Sequence, residues 1–416
     1  SYGSLGNQKT VGYYDYLQLI NTGAVMNYAF GDTTKGDYAY ESAPNSTDLT
    51  WETVITKNIG LDLGFLNNRL NVSFDAYIRD TKDMLMAGKT LPGVYGASSP
   101  RMNVADLRTK GWEASVTWGD SFTLASKPFN YRIMAGIGDN ISKVTKYDNP
   151  NRTLTDPYEG QQLGEIWGYV VDGYFKTDEE ARNYKVDQSF VNQMINASAL
   201  DNGLHAGDLK FVDLDGNNKI EQTTSANDRK DMKVIGNSLP RYNYNFGISA
   251  DWYGIDFSVL FQGIGKQNWY PGAETSMFWG PYSRPYASFI PSDFMSQVWS
   301  EENTNAYFPR PRGYVALGSN RELAVVNTKY LQNLAYCRLK NLSIGYTLPD
   351  KWLSKIGFEK IRVYFSGENL LTFTKLHSDY IDPEQASASN SWKTSKSDAN
   401  IYPWAKTYSF GVDITF

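Results

Sequence analysis

The stretch "NIGLDLGFLNNRLNVSFDAYIRD", residues 58–80, alternates apolar and polar side chains on both sides of a short turn. Apolar side chains occupy the odd positions from Ile59 to Phe65 and the even positions from Leu70 to Ile78. Because successive side chains of a β-strand point to opposite faces, this period of two gives one apolar face and one polar face. The stretch therefore predicts a hairpin of two long antiparallel strands.

The same alternation recurs along the rest of the chain and predicts nine strands in total. The opening "SYGSLGNQ", residues 1–8, is interpreted as the upper end of a further strand whose lower part is missing. The seven additional alternating segments run from Trp112 to Trp118, Tyr131 to Ile137, Tyr242 to Ile248, Ile255 to Phe261, Leu342 to Tyr346, Ile361 to Phe365 and Tyr408 to Phe416.

The predicted connections between the strands alternate between short and long. An outer-membrane barrel has tight periplasmic turns and long outer loops, whereas a soluble β-sandwich or jelly roll would show turn signals every 8 to 12 residues or so. We therefore favour an all-β, transmembrane antiparallel barrel that forms one domain over residues 1–416. The short links are expected at 67–68, 119–129, 251–254 and 349–359, and the long ones at 80–108, 143–240, 263–329 and 370–405.

Composition excludes several classes of protein. The formal net charge of −5 and the pI near 5.3 argue against a nucleic-acid partner, which requires a basic face. With Cys337 as the only cysteine, neither a disulfide framework nor a cysteine-based zinc site can form. Aromatic residues make up 15% of the chain and favour strands. The mean hydropathy of −0.47, with no run of about 18 apolar residues, excludes a transmembrane helix.

The parity of the strands predicts which side chains meet lipid. Arg338 and Lys340 break the pattern, and we expect their strand to rise above the hydrocarbon there, so that both cations meet headgroups or water. The chain ends on Phe416, which we expect to be the true C-terminus, in the periplasmic interface. Acyl chains are expected to contact Val72, Phe74, Val116, Ile248, Val259 and Val412, and an aromatic girdle is expected at Trp112, Trp118, Tyr131 and Tyr408.

The segment "FVDLDGNNKIEQ", residues 211–222, begins like an EF-hand calcium loop. It departs from that pattern because Asn218 replaces the turn glycine and Thr224 replaces the bidentate glutamate. A bound Ca²⁺ that stiffens an outer loop is one reading, and an Asx-turn that needs no ion is the other. The predicted ligands are the side chains of Asp213, Asp215 and Asn217 and the backbone carbonyl of Lys219, with a further oxygen from Glu221 or Asp228.

The sequence offers few residues for catalysis and more residues suited to binding a ligand. The only two histidines, His205 and His377, fall in different long loops, so we expect no enzyme and no required cofactor. Flat aromatic rings in the long loops suit the apolar face of a sugar. The alternative is that such rings form small cores within the loops or contact a partner protein. The predicted substrate-binding residues are Trp167, Trp269, Trp279, Tyr282 and Trp392.

Several long stretches resemble, in order, the C-terminal barrel half of SusC/RagA-type TonB-dependent transporters of Bacteroidota. They include "LTWETVITKNIGLDLGFLNNRLNVSFDAYIRDTKDML", "IGNSLPRYNYNFGISADW", "YLQNLAYCRLKNLSIGYTLP" and "YPWAKTYSFGVDITF". The resemblance implies a barrel of about 22 strands in the outer membrane, with the plug and the N-terminal strands supplied by an N-terminal part absent from this chain. It also implies a SusD-like lipoprotein lid and energy from the TonB–ExbB–ExbD complex.

The function implied by the resemblance is active import of large nutrients, mainly oligosaccharides and in some members peptides. A passive porin or a surface adhesin is the rival interpretation, and a plug with a TonB-binding segment upstream would favour active import. The chain is expected to be a fragment or one piece of a split polypeptide. Loops 143–240 and 263–329 are predicted to hold the lid lipoprotein and the substrate between them, because loops of more than about 15 residues are usually functional or disordered.

Overall fold

A single sheet of ten antiparallel strands forms the framework of the chain, in which each strand pairs with its neighbours in sequence. We label these strands β1 to β10. Their bounds are β1 Tyr2–Asn7, β2 Glu52–Phe65, β3 Leu70–Ala87, β4 Arg101–Leu124, β5 Lys127–Lys146, β6 Arg241–Trp252, β7 Ile255–Lys266, β8 Tyr336–Thr347, β9 Lys360–Thr374 and β10 Thr407–Thr415. The computed structural model describes residues 1–7, 14, 16–23, 29–30, 34–35, 38–42, 44–46, 49–88, 91–96, 99–192, 203–283, 290–311, 316–318, 321–353, 357–386, 396–397 and 402–416.

Shorter elements lie in the connections. Among the described residues, no helix is both long enough and apolar enough to cross a membrane. The α-helices are Asp178–Arg182, Ser276–Trp279 and Asp350–Leu353, and the 3₁₀-helices are Gly93–Tyr95, Gly280–Tyr282 and Phe294–Gln297. The short strands are Ile20–Gly23, Ala29–Phe30, Thr34–Lys35, Tyr38–Glu41, Glu165–Tyr169, Val171–Tyr174, Leu209–Phe211, Met232–Asn237, Asn268–Pro271, Gln332–Asn333 and Lys396–Ser397.

The register places the alternating apolar side chains on one continuous face of the sheet. Val72 of β3 lies opposite Val116 of β4, and Ile248 of β6 lies opposite Val259 of β7. Because directly paired residues of antiparallel strands point to the same side, the apolar side chains join from strand to strand. The predicted shared face is confirmed for Val72, Phe74, Val116, Ile248, Val259 and Val412.

Aromatic side chains collect on this face near the turn that follows β4. The indole Nε1 of Trp118 donates to the hydroxyl of Tyr131 at 2.9 Å, and Tyr131 lies edge-on to Phe122. The pairing also puts Trp112 and Tyr408 on the same face, as predicted. The group has the composition of an aromatic girdle, in which amphipathic rings lie where hydrocarbon meets polar headgroups.

The short connections lie together at one end of the sheet and include a turn that the sequence did not reveal. β4 and β5 continue to Leu124 and Lys127, so the link predicted at 119–129 is the two-residue turn Ala125–Ser126. Both turn residues have positive φ, 47° and 62°. At the other end of the sheet, the loop predicted at 80–108 is also too long, since β3 extends to Ala87 and β4 begins at Arg101.

A β-bulge in β8 turns Arg338 away from the face on which the sequence pattern placed it. The pairing of β8 shifts between Leu339 and Asn341, so Lys340 is an extra residue and the facing of the strand reverses above it. Leu339 then lies opposite Leu371 on the apolar side, and Arg338 points to the other side. The side chain of Arg338 is 3% exposed, so the expectation that it meets headgroups or water is wrong. Lys340 is half-buried, with its ammonium 2.7 Å from Glu384.

Candidate functional site

The polar face of the sheet carries a groove of about 450 Å³ across β3 to β6. The carboxylates of Asp75 and Glu113 come from directly opposed positions of β3 and β4. Amides and hydroxyls surround them and supply both donors and acceptors. The polar side chains of this face that line the groove are Ser73, Asp75, Tyr77, Glu113, Ser115, Asn140, Asn243 and Asn245.

Glycines opposite large polar side chains keep this face open. A Cβ on Gly111 would lie 2.4 Å from the ring of Tyr77, and one on Gly60 would lie 2.6 Å from the carboxylate of Asp75. Neither separation is compatible with a side chain larger than hydrogen unless the neighbour moves. The glycines therefore let Tyr77 and Asp75 lie flat against the adjacent strand instead of projecting from the wall.

Charges on the polar face are only partly neutralised. Asp75 accepts from the amide of Asn58 at 2.9 Å, and near the short-turn end Arg362 binds Asp256 through two hydrogen bonds of 2.8 and 2.6 Å. Glu113 is exposed, and none of the described residues forms an ion pair with it. Carboxylates and amides on a polar wall bind sugar hydroxyls, basic side chains or the backbone of another segment.

The loops at the other end of the sheet form one packed unit, which we call the loop module: residues 147–240, 267–335 and 375–386, as far as they are described. Its main interior cluster is rich in aromatic residues and includes Phe211, Trp279 and Ile381, one from each loop, and a smaller cluster forms around Phe175. Hydrogen bonds join distant segments, such as the hydroxyls of Tyr174 and Tyr330 at 2.9 Å. The two longest loops thus pack directly against each other.

Three predicted substrate-binding residues lie inside this module. Trp269 and Trp279 are 0% exposed and Tyr282 is 1% exposed. The indole Nε1 of Trp279 donates to the carbonyl of Gly272 at 2.9 Å, and the hydroxyl of Tyr282 donates to the carbonyl of Pro309 at 2.6 Å. This burial fits the alternative in which the rings give the loops a core of their own. In this conformation none of the three offers a ring face to a solute.

The remaining predicted residues are placed differently. Trp167 is half-buried in the short strand Glu165–Tyr169, and Trp392 lies outside the described residues. Exposed rings that the site prediction omitted are Tyr380, Tyr402 and Trp404, which are 45%, 89% and 53% exposed. Trp404 was one of several tryptophans in the long loops, and nothing in its local sequence distinguishes it from the buried ones.

The segment 211–222 folds as a turn closed by its own side chains. The carboxylate of Asp213 accepts from the backbone amides of Gly216 and Asn218, both at 2.7 Å, and Asn217 Oδ1 accepts from the amide of Lys219 at 2.8 Å. Glu221 is directed toward Lys230, with its carboxylate 3.4 Å from the ammonium. These are the contacts of the Asx-turn alternative.

A third carboxylate, absent from the predicted set, joins two of the predicted ones. Oxygens of Asp213, Asp215 and Asp231 lie within 4.8 Å of one another. Asp231 is fully buried and accepts from the amides of Leu214 and Glu221 at 2.9 and 2.7 Å. Burial, followed by the charges of Asp215 and Asp213, raises the pKa of Asp231 above its usual value. Three oxygen ligands suit a hard cation such as Ca²⁺, so the donor set fits and the calcium site stays a prediction.

The two histidines are not arranged for catalysis. The ring of His377 stacks on that of Tyr307 with centroids 3.5 Å apart, and burial lowers the pKa of His377. His205 lies 3.7 Å from Asp178. Both rings are engaged within the loop module rather than paired with a nucleophile, so neither has the geometry of an acyl-transfer or hydrolytic centre.

Comparison with known proteins adds to this geometry. The family model described as "TonB dependent receptor-like, beta-barrel" matches residues 10–370. The chain belongs to this family. Its members are outer-membrane β-barrel proteins that act as receptors and transporters, not enzymes. The predicted fold class is confirmed, because the chain is a portion of a TonB-dependent barrel.

The match with each relative covers the whole of this chain but only part of the relative's own length. TonB-dependent receptor P3 of Formosa agariphila is 28% identical over 100% of this chain and 39% of its own length. TonB-dependent receptor SusC of Bacteroides thetaiotaomicron is 24% identical over 100% of this chain and 37% of its own length. This chain thus spans about two fifths of these relatives.

Solved structures share the fold. The RagAB peptide transporter superimposes with a TM-score of 0.68 at 21% identity, over 100% of this chain and 40% of that one. The RagAB peptide importer in the "open-open" state gives 0.67 at 23% identity, over 100% and 39%. The resemblance inferred from the sequence to SusC/RagA-type proteins is therefore confirmed.

Proposed function

We propose that this chain forms the C-terminal part of an outer-membrane importer for large nutrients, with oligosaccharides as the first substrate class. The long loops face the outside, a SusD-like lipoprotein covers them, and the TonB–ExbB–ExbD complex energises transport through the N-terminal part of the same transporter. The loop module is the observation that carries the proposal, because a passive pore has no need of a second hydrophobic core above its wall.

The packing of the module changes how a lid would bind. The two longest loops contact each other through bonds such as Leu209 N to Glu322 Oε2 at 3.0 Å and Arg310 N to the carbonyl of Gly207 at 2.9 Å. No partner fits between surfaces that are already joined in this way. We therefore place the lipoprotein and the substrate on the outer surface of the module, near the exposed ring of Tyr380 and those of Tyr402 and Trp404 in the segment that leads into β10.

Oligosaccharides suit the polar face of the sheet, which offers hydroxyl and amide groups with few free charges. Peptide import is the second candidate. The observation that favours it is the opposed pair of carboxylates, Asp75 and Glu113, which would attract basic side chains of a peptide. Exchanging both for Gln separates the two classes, since uptake of basic peptides should fall while uptake of neutral oligosaccharides is retained.

The decisive experiment uses the complete transporter with its lipoprotein. Ligands that co-purify with the complex are identified by mass spectrometry, and uptake of the identified class is measured in cells with and without TonB. Uptake that requires TonB supports active import, whereas unchanged uptake without TonB would indicate a passive pore. Shortening loop 147–240 or loop 267–335 should weaken lipoprotein binding or uptake while the barrel still assembles; retention of both properties would contradict the proposed role of the loops.

A further inference from the structure

Basic side chains collect on the apolar face of the sheet at its long-loop end. Lys57, Ile78 and Lys110 are directly paired across β2, β3 and β4, and the next row on this face contains Asp80, Arg108 and Lys143. The register is unbroken between these rows and the apolar rows that begin at Phe65 and Leu70, so these side chains share the apolar face. We call Lys57, Lys82, Arg108, Lys110 and Lys143 the cationic band.

Two of the five cations are neutralised within the sheet. Arg108 binds Asp80 through two hydrogen bonds of 2.6 and 3.2 Å, and Lys82 lies 2.6 Å from Asp106. The other three, Lys57, Lys110 and Lys143, are exposed, and none of the described residues forms an ion pair with them. The band therefore presents three lysines that form no ion pair among the described residues, although the carboxylate of Asp80 also attracts Lys57.

The three lysines without an ion pair are close together. Lys57 and Lys110 are two strands apart, roughly 10 Å at the usual strand spacing. Lys110 and Lys143 occupy diagonal positions on adjacent strands, a separation of about 7 to 8 Å. Like charges at these distances repel, so an anion bound among them would stabilise the arrangement.

The band begins where the apolar surface ends. Ile59, Ala76 and Trp112 form the row beneath it, and further apolar rows continue down to Phe65. The nine residues from Phe65 to Lys57 are about the length with which a tilted strand crosses the hydrocarbon of a membrane. The band thus lies at headgroup level, and the indole of Trp112 lies at the interface, where tryptophan is enriched.

The band is confined to one sector of the sheet. On β8 and β9 the residues that face the apolar side above the bulge are Cys337, Leu371 and Phe373, whereas Arg338 is turned toward the loop module. Among the described residues of β8 and β9, no free cation therefore faces the apolar side above the bulge. A localised patch of this kind differs from a ring of headgroup contacts around the whole barrel.

We propose that the cationic band binds the phosphorylated headgroup of a membrane lipid in the leaflet at the long-loop end, with the acyl chains of that lipid lying on the apolar rows beneath. The chemistry is that of lysine ammonium groups around a phosphate, a contact that contributes through charge more than through direction. Continuity with the lipid-facing surface favours a lipid over a soluble anion. The inference depends on the outer-membrane location and not on which nutrient is imported.

The test uses the complete transporter in detergent, titrated with lipid A that carries two phosphates and with its dephosphorylated form, with binding followed by native mass spectrometry. In the triple variant K57Q/K110Q/K143Q, affinity for the phosphorylated lipid should fall by about tenfold or more, because each basic residue at a membrane surface contributes measurably to anion binding. The matched control is K127Q/K185Q/K351Q, which removes three exposed lysines outside the band and should bind as the native protein does.

Three outcomes would overturn the inference: equal affinity for both lipids, equal losses in both triple variants, or unchanged lipid binding together with loss of an acidic protein partner. Heat-modifiable migration of the barrel on gels checks that each variant has folded. TonB-dependent nutrient uptake is measured in parallel. Retained uptake with weakened lipid binding supports the inference, and it shows that the lipid site and the proposed import function can fail separately.

Discussion

The guanidinium of Arg338 lies 2.6 Å from a carboxylate oxygen of Asp382 and so ties β8 to the loop module. Both side chains are buried, at 3% and 4% exposure, and a second nitrogen of Arg338 lies 2.6 Å from Glu384. Asp382 also accepts from the backbone amide of Trp404 at 3.1 Å. One basic residue thus joins the wall, one loop and the segment that leads into β10.

Replacing Arg338 by Met should loosen this attachment. The change leaves Asp382 buried without its cation, and loss of one partner of a buried ion pair costs about 3 to 5 kcal/mol. Hydrogen exchange over residues 376–386 should quicken while exchange in the strands stays slow. Asp413→Asn is the control, since Asp413 is 60% exposed in its pair with Arg362 and its loss should have little effect. Equal exchange in the two variants would contradict this role for Arg338.

The two faces of β4 should respond oppositely to an added charge. Val116→Arg places a guanidinium among apolar neighbours such as Val72 and Ala135, and near the membrane midplane this costs about 2 to 4 kcal/mol. Ser115→Arg, one residue away on the polar face, should assemble normally. Folding into lipid vesicles measures the difference, and equal assembly of both variants would overturn the assignment of the faces.

Glycine should be the favoured residue at a positive-φ position in each of two tight turns. Gly254 has a φ of 83°, and a Cβ there would lie 2.7 Å from the carbonyl oxygen of Thr347, so Gly254→Ala should destabilise the barrel by about 1 to 3 kcal/mol. Ser126 has a φ of 62°, so Ser126→Gly should stabilise it by up to about 1 kcal/mol. Urea titrations of the folded barrel compare them, and a stabilising Gly254→Ala would refute the strain argument.

The acidic cluster should bind Ca²⁺ in a pH-dependent manner. Because the folded pKa of Asp231 is raised, its protonated form stabilises the cation-free fold at low pH, and this contribution is lost as pH rises through the raised pKa. Calcium competes with that proton for Asp231, so calcium affinity should increase with rising pH. Bound calcium would also remove the free-energy cost of ionising Asp231 in the folded protein. Calorimetry at several pH values measures this.

The double variant Asp213→Ala/Asp215→Ala should remove calcium binding and speed proteolysis of the loop. Its control is Asp228→Asn, which leaves the cluster intact. Unchanged metal content and cleavage in the double variant would show that the segment is only a turn.

Trp279 tests whether the buried rings serve stability or binding. Trp279→Ala should destabilise the loop module by about 3 to 5 kcal/mol, the usual cost of removing a fully buried large ring. Trp404→Ala, at a site that is 53% exposed, should leave the module stable and weaken lipoprotein or substrate binding instead. Limited proteolysis and binding assays separate the effects. Lost binding with intact stability in Trp279→Ala would restore the ligand role predicted for Trp279.

The sheet could be predicted from the sequence because a period of two is local and repeats in every strand. The missed features depend on single residues or distant ones. Ala125 and Ser126 adopt positive φ without the Asn-Gly signature of such turns. Lys340 is one extra residue whose bulge reverses the facing of Arg338, and no local pattern marks it.

The loop module and its acidic cluster could not be predicted from local sequence patterns, because both depend on contacts between residues that are distant in sequence. Asp231 joins Asp213 only because the intervening chain returns, and it carries no motif of its own. Burial of Trp269 and Trp279 depends on packing between loops that are far apart in sequence. Aromatic composition suggests either a binding surface or a core, and only the three-dimensional arrangement distinguishes them.

The pairing of each strand with its neighbours in sequence has a consequence for the order of assembly. Contacts within a hairpin such as β4–β5 close over a few residues, whereas the bond between Tyr174 and Tyr330 spans 156 positions. Since closing a longer segment costs more chain entropy, hairpins should form before the contacts between distant loops. The sheet would then be formed while the aromatic side chains of the loop module are still unpacked. That late intermediate exposes apolar surface and is prone to aggregate, so it is the stage at which chaperones would be needed most.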